Sequence, residues 1–343
     1  MTTLPSKPSR RQVLISGGLF GGALMTGGAV IAGLPAHVTT DMNLTTDQRE
    51  GIAFGTKVML KAAHADAQLL ERALDAAWQE IAAIEHAASL FRPHSALSRL
   101  NALGEISDAP APLLAMLEHS RIVCELTDGA FDPTVQPLWQ LYADAFAQGR
   151  DVRDGELAGV RGSIGWRHIE IQDTTVRLGK PGMALTLNGI AQGYATERCL
   201  DALRQAGVEN AFVDTGEIGI AGKRDGEAAW TAAIADPRSP GSYLGLSRPA
   251  AGILATSGDY ATTWSADYSR HHIIDPATLR SPPITASVSV LAPSGALADG
   301  LATAMMVIGP ELSLALAARL EGVEALIVTK SGEMHSTKHF PLV

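Results

Sequence analysis

The stretch LTLNGIAQGYATERCLDALRQAGVENAFVDTGE, residues 185–217, decides the reading of this 343-residue chain. Its short apolar opening predicts a strand, which passes through Asn188-Gly189 into a helix. Ala195, Cys199, Ala202 and Ala206 recur there at helical spacing. Asn188 is a favoured N-cap and Gly207 a natural stop. A second apolar run, AFVD at 211–214, predicts another strand that ends at Gly216. A strand, glycine turn, helix and strand expose free backbone N–H groups at the helix start, and these suit a phosphate. Most such junctions only turn the chain.

A second stretch, SGALADGLATAMMVIGPE at 294–311, sharpens this. Asp299 and Thr303 stand four apart at the head of an apolar helix, so their oxygens share a face. A carboxylate and a hydroxyl suit Mg²⁺, which takes one or two protein groups and completes its shell with water and phosphate. The plainer alternative makes Asp299 a helix cap and Thr303 an ordinary surface residue.

Outward from these stretches, a helix over 66–90 buries Ala67, Leu70, Leu74, Ala77, Ile81, Ile84 and Ala88, ending at Phe91 and Pro93. A second helix runs over 112–127 and stops at Asp128-Gly129. The polar segment 149–160 predicts a surface loop. HIEIQDTTVRL, 168–178, predicts a hairpin. WTAAIADP, ASVSVLAP and VEALIVT predict further strands, and PELSLALAARL a helix. Strands and helices mix without βαβ alternation, so the fold class is α+β with largely antiparallel sheets packed with helices. No dinucleotide fingerprint follows a strand, and neither zinc-type Cys/His spacing nor a serine-hydrolase elbow is present.

At the N-terminus, Arg10-Arg11 precede a glycine-rich apolar run over 13–34 and a small-residue site closing at Ala36. This predicts a twin-arginine signal peptide over 1–36 and a periplasmic protein, with an uncleaved anchor as the alternative. The net charge of −9 falls by a further three once this leader, with Lys7, Arg10 and Arg11 and no acid, is set aside. An acidic chain of this kind argues against nucleic-acid binding. Only Cys124 and Cys199 occur, and buried thiols or one disulfide both remain open.

The motifs resemble the ApbE family of flavin transferases over a folded unit at 50–343. In order they are AFGT at 53–56, FRPHSALSRLNA at 91–102, DGAFDPTVQPLW at 128–139, LNGIAQGYATE at 187–197, ATSGDY at 255–260, HHIIDPAT at 271–278 and SVSVLAPSGALADGLATA at 287–304. Within the family the chain looks most like the branch serving nitrous oxide reductase maturation. The resemblance implies a T-fold-like architecture and transfer of FMN from FAD, as substrate, to a Thr or Ser hydroxyl of a partner protein, with AMP released. The metal ligands implied for Mg²⁺ are Asp299, Thr303 and the Gly189 carbonyl. The flavin contacts implied are Phe54, Phe91, Ala130, Phe131, Asp132, Thr186 and Gln192. Here Phe91 stands for the usual tyrosine, Thr186 for an aspartate and Gln192 for a lysine or glutamate. His272 matches the family histidine and would take the acceptor proton, with Asp259 a second base or an orienting carboxylate. The acceptor would carry a Thr/Ser flavinylation motif, on a membrane respiratory subunit in one version. Two competing readings share the site: an FAD pyrophosphatase giving FMN and AMP, and a non-enzymatic flavin-binding assembly factor, motivated by the neutral Thr186 and Gln192.

Overall fold

The computed structural model describes residues 44–224 and 227–343, so the leader expected over 1–36 lies outside the described residues. Strands β1 (Thr45–Ala53) and β2 (Thr56–His64) form a hairpin that begins upstream of residue 50. Its two-residue turn, Phe54-Gly55, has φ of 52° and 75°, the doubly positive geometry that matches the twist of paired strands. Helix α1 (Ala67–Ala88) is capped by Asp66, whose carboxylate accepts from the N–H groups of Gln68 and Leu69. Then come α2 (Ala96–Leu103), β3 (Glu105–Ile106), α3 (Ala111–Leu126), α4 (Gln136–Ala147) and α5 (Asp154–Arg161). The expected hairpin follows as β4 (Ile169–Gln172) and β5 (Thr175–Leu178), turning at Asp173-Thr174.

Helix α6 (Ala191–Gln205) leads into β6 (Asn210–Asp214), β7 (Ile218–Ala221), β8 (Ala232–Ala235), β9 (Tyr243–Ser247) and β10 (Gly252–Gly258). The chain closes with β11 (Thr285–Ala292), α7 (Gly295–Ile308), α8 (Pro310–Ala317), β12 (Glu324–Thr329) and β13 (Met334–Ser336). Eight strands form one sheet in the order β1-β2-β6-β7-β10-β11-β12-β13, with every pairing antiparallel. The α+β reading with antiparallel sheets therefore holds.

Alternation along β6 shows how the layers form. Ala211 and Val213 pack with Leu70, Leu74, Cys199 and Leu203 of α1 and α6. Phe212 points the other way, against Trp230, Ile234, Leu254 and Phe340 beneath the small β8–β9 sheet. Each such buried side chain contributes about 1.5–3 kcal/mol relative to exposure. Helices α1, α6 and α7 lie side by side on one face of the large sheet, and α3 packs on the outer side of α7.

Two local expectations are corrected. The run before Asn188 forms no strand; Leu185 is instead pinned by Asn101, whose amide bonds both its N–H and its carbonyl. The segment 149–160 is not wholly loop, because Glu156 reaches back to the Arg153 N–H and closes a turn that α5 continues. Cys124 and Cys199 are free, buried thiols, which removes the disulfide alternative.

Candidate active site

Helix α7 begins where Ser294 caps it and Glu197 of α6 accepts from the Ser294 hydroxyl and the Gly295 N–H. A carboxylate there also suits the positive end of the helix dipole. One turn in, Asp299 is only 4% exposed and accepts from the Gly193 N–H at 3.0 Å. It caps α6 from across the interface, not its own helix. A further turn along, the Thr303 hydroxyl lies 3.2 Å from that of Ser257, near the end of β10. A Cβ added to Gly189 would stand 2.8 Å from Thr303 Oγ1 and 3.3 Å from the Phe131 ring. Asp299, Thr303, Gly189 and Phe131 therefore converge.

The start of α6 differs from expectation. Asn188 is exposed and does not cap; Ile190 occupies the N-cap without a side-chain bond. The Ala191 N–H bonds the Leu187 carbonyl and the Gly193 N–H bonds Asp299. Two of the N–H groups that open the helix are thus committed to the protein's own oxygens.

The electrostatics around Asp299 are unbalanced. Burial pushes its carboxyl up to about 7 and that of Asp214, at the end of β6, up to about 6. Glu217 is raised by burial and by the neighbouring charges of Asp299 and Asp214, although the Thr256 N–H donates to it at 2.8 Å. Among the described residues none of the three is paired with a lysine or arginine. Nor do any three His, Cys, Asp or Glu side chains there cluster as a metal cage. A cation at this point would rest on one carboxylate and neutral oxygens, the donor set that suits Mg²⁺. Glu217 closes the quoted stretch, but its burial against Asp299 depends on a contact across the fold that no local pattern signals.

The remaining candidates occupy different settings. Gln192 is half-buried, and its amide donates to the Thr215 carbonyl at 2.9 Å. Thr186 is half-buried, and its hydroxyl accepts from the Asn188 N–H. Asp132 is buried beyond Ala130 and Phe131; its oxygens take the Thr134 N–H and hydroxyl and the Trp166 N–H. Phe54 sits at the hairpin tip with its N–H on Glu85, which also pairs with Arg92. Phe91, beside Arg92, is 70% exposed.

His272 lies in the loop that joins β10 to β11. Its N–H bonds the Thr262 carbonyl, and its Nδ1 lies 3.2 Å from the same oxygen. A carbonyl can only accept, so Nδ1 carries the proton and Nε2 keeps its lone pair. Burial lowers this imidazole's pKa and the Asp259 charge opposes that. His271 is sealed, with Nε2 directed at the Pro282 carbonyl, and is pushed down to about 3 by burial. Asp259 is fully buried and gripped by both terminal nitrogens of Arg238 at 2.8 Å, so it is built as an orienting carboxylate. Tyr260 bridges the two halves: its phenol is pushed up to about 12 by burial and by the charges of Glu217 and Asp259. Arg238, like Glu217, carries no local sequence signal; it follows Asp236-Pro237 in an unremarkable turn.

This α+β fold, with two lobes of core meeting at a carboxylate-bearing helix, defines the class that the comparisons then specify. The ApbE family model matches residues 54–327. An FAD:protein FMN transferase of Vibrio cholerae serotype O1 is 33% identical over 294 residues, 82% of this chain and 86% of that protein. The solved flavin transferase ApbE from Vibrio cholerae superposes with a TM-score of 0.73 at 29% identity, covering 88% of this chain and all of that one. An ApbE protein from Thermotoga maritima gives 0.76 at 26% identity, over 86% and 97%. The chain belongs to the ApbE family and is an enzyme, a transferase.

Proposed function

We propose that this protein moves the FMN half of FAD onto a Thr or Ser hydroxyl of a partner protein, with Mg²⁺ bound at Asp299, Thr303 and the Gly189 carbonyl. The observation that carries this is the convergence of those three residues beside buried carboxylates that have no lysine or arginine partner among the described residues. The activity for which the Vibrio cholerae relative is named, FAD:protein FMN transferase, supports it. A bound Mg²⁺ would supply charge neutralisation for the diphosphate and the departing AMP.

The chain's own residues do the rest. Phe54 and the exposed Phe91 offer aromatic surface to the flavin, while the almost fully buried Phe131 backs the Gly189 turn. Thr186 and Gln192 offer a neutral hydroxyl and amide. His272 Nε2 takes the proton of the acceptor hydroxyl as its oxygen attacks the FMN phosphorus. The phosphorus–oxygen bond to AMP breaks, a phosphoester to the acceptor forms, and the proton remains on His272. Thr262 holds the imidazole in the tautomer that this requires.

The protein's place in this reading is the periplasm, reached through the Arg10-Arg11 leader, in service of a respiratory or nitrous oxide-reducing system. Incubation of the protein with FAD, Mg²⁺ and a peptide carrying the Thr/Ser motif is expected to give a covalent, yellow, fluorescent peptide. AMP release without acceptor, and no adduct when acceptor is supplied, would assign the site to FAD hydrolysis. FAD bound tightly with no AMP released would assign it to an assembly factor.

A further inference from the structure

Helix α1 lies along the β1–β2 hairpin and holds it at two points. Trp78 fills the space beside Gly51, where a Cβ would stand 2.7 Å from its ring. Seven residues on, and so on the same face of the helix, Glu85 reaches the hairpin tip, where its Oε1 accepts the Phe54 N–H at 3.2 Å. Phe54 stands in the left-handed region with a φ of 52° and packs against two core clusters, one of which contains Phe131. Glu85 Oε2 pairs with Arg92 at 2.5 Å. Arg92 follows Phe91 in the turn after α1, and that turn is itself stitched down. The Phe91 N–H donates to the Ser89 hydroxyl, and the Ser89 carbonyl accepts from the hydroxyls of Ser95 and Ser98. One carboxylate, 18% exposed, thus ties the segment carrying Phe54 to the segment carrying Phe91.

We propose that Glu85 is a positioning residue for flavin binding: it holds the Phe54 backbone and the Phe91–Arg92 turn at the separation that lets both rings meet one ligand. The proposal rests on the reading of Phe54 and Phe91 as flavin contacts. In a two-residue hairpin loop the central residues lie outside the strand ladder, so the hairpin alone does not fix how Phe54 leans. Glu85 supplies that restraint from a packed helix, through a hydrogen bond strengthened by the charge of its acceptor. A non-glycine residue with positive φ is strained, which gives the tip reason to relax once the bond is removed. Arg92 is more than half exposed, so water weakens its pair with Glu85, and the Phe54 bond is the stronger of the two links. Phe91 is 70% exposed and keeps its ring surface available to a planar ligand. Rings held in place before the ligand arrives lose less freedom on binding.

The test is a calorimetric titration of the full chain with FAD, read beside KM and kcat for transfer. Glu85→Ala is expected to raise the Kd for FAD, and KM with it, about tenfold while kcat at saturating FAD holds. Glu85→Gln keeps an oxygen for the Phe54 N–H and should raise Kd less, as should Arg92→Met, which leaves the Phe54 bond intact. In a Phe54→Ala/Phe91→Ala background, Glu85→Ala should add little, because the rings it places are gone. An unchanged Kd in Glu85→Ala, or an equal rise with and without the two rings, overturns the proposal. If Phe54→Ala/Phe91→Ala itself leaves Kd unmoved, the flavin reading of these rings falls and the proposal with it. If that variant weakens binding and Glu85→Ala does not, the proposal alone falls. Should Glu85→Ala fail to fold, Glu85→Gln must still raise Kd measurably, and no rise there overturns it equally.

Discussion

Gly193 and Gly295 touch where α6 and α7 cross: a methyl group on either would lie 2.0 Å from the carbonyl oxygen of the other. This approach lets the Gly193 N–H reach Asp299, and it brings the turn containing Gly189 against Thr303. The geometry of the site is therefore set by two missing side chains.

It follows that Gly193→Ala or Gly295→Ala must push the helices apart, because the obstacle is backbone and cannot rotate away. Overpacking of this sort costs about 1–3 kcal/mol. Both variants should lower the melting temperature and weaken Mg²⁺-dependent transfer. Gly159→Ala in α5 meets nothing within 4 Å and should instead raise stability by roughly 0.5–1 kcal/mol through helix propensity. Calorimetry on the three variants checks the contrast, and equal behaviour would remove the crossing argument.

The raised carboxyl of Asp299 makes a prediction about pH. Its folded-state pKa of about 7 lies above the ordinary 3.8, so between those values the folded protein holds a proton that the unfolded chain has released. This group's contribution is fully present below about pH 4 and is lost as pH rises through about 7. Glu217 and Asp214, also raised, act in the same direction. Metal-free protein in chelator should therefore lose melting temperature as pH rises across this window. Saturating Mg²⁺ should flatten the trend by binding the ionised form. A metal-free melting temperature that climbs over the same range would contradict the assignment.

Much of this was legible in the chain, where a local rule sufficed. Asp66 caps α1 and Asp173-Thr174 turns the β4–β5 hairpin, each within a few residues of its partner. The helix that carries Asp299 and Thr303 was legible from spacing alone. Asn188 satisfies the local rule for an N-cap, yet Asp299, more than a hundred positions away, supplies the acceptor for the α6 N–H instead. Glu217 and Arg238 were invisible for the same reason. A burial partner across the sheet and a clamp across two loops leave no periodic trace in sequence.

The two thiols give a simple check on the core. Cys124 and Cys199 are buried, and desolvation raises both well above the ordinary thiol range, so the reactive thiolate is scarce. The folded protein should be inert to a thiol reagent and unaffected by reductant, and both thiols should react once denaturant unfolds it. Fast reaction of either in the native state would show that α1, α3 and α6 open locally.

The paired histidines should separate cleanly. His271 is sealed and bonded to Pro282, whereas His272 retains Nε2 for chemistry. His272→Asn should cut the transfer rate by about 10²–10⁴-fold, the usual worth of a positioned base, while FAD affinity holds. His271→Asn should act chiefly on melting temperature. Rates and FAD binding measured on both variants decide it, and a fully active His272→Asn would leave the attack without a proton acceptor.

The proposed metal pair gives the sharpest outcome. Asp299→Asn keeps size but removes the charge, and its amide oxygen can still accept from the Gly193 N–H. Transfer at ordinary Mg²⁺ should vanish while the fold persists. Metal-free Asp299→Asn should lose part of the pH trend described above, since one of the buried carboxyls that cause it is gone. Thr303→Val keeps shape and loses one oxygen, together with its contact to Ser257. Water can replace a neutral ligand, so raising Mg²⁺ should rescue Thr303→Val far better than Asp299→Asn. If Asp299 served only to tie α6 to α7, the order would reverse: Asp299→Asn would be nearly silent, and Thr303→Val would matter through stability alone. A Mg²⁺ titration of transfer rate, read beside melting temperature for both variants, separates the two, and a fully active Asp299→Asn would sink the metal assignment.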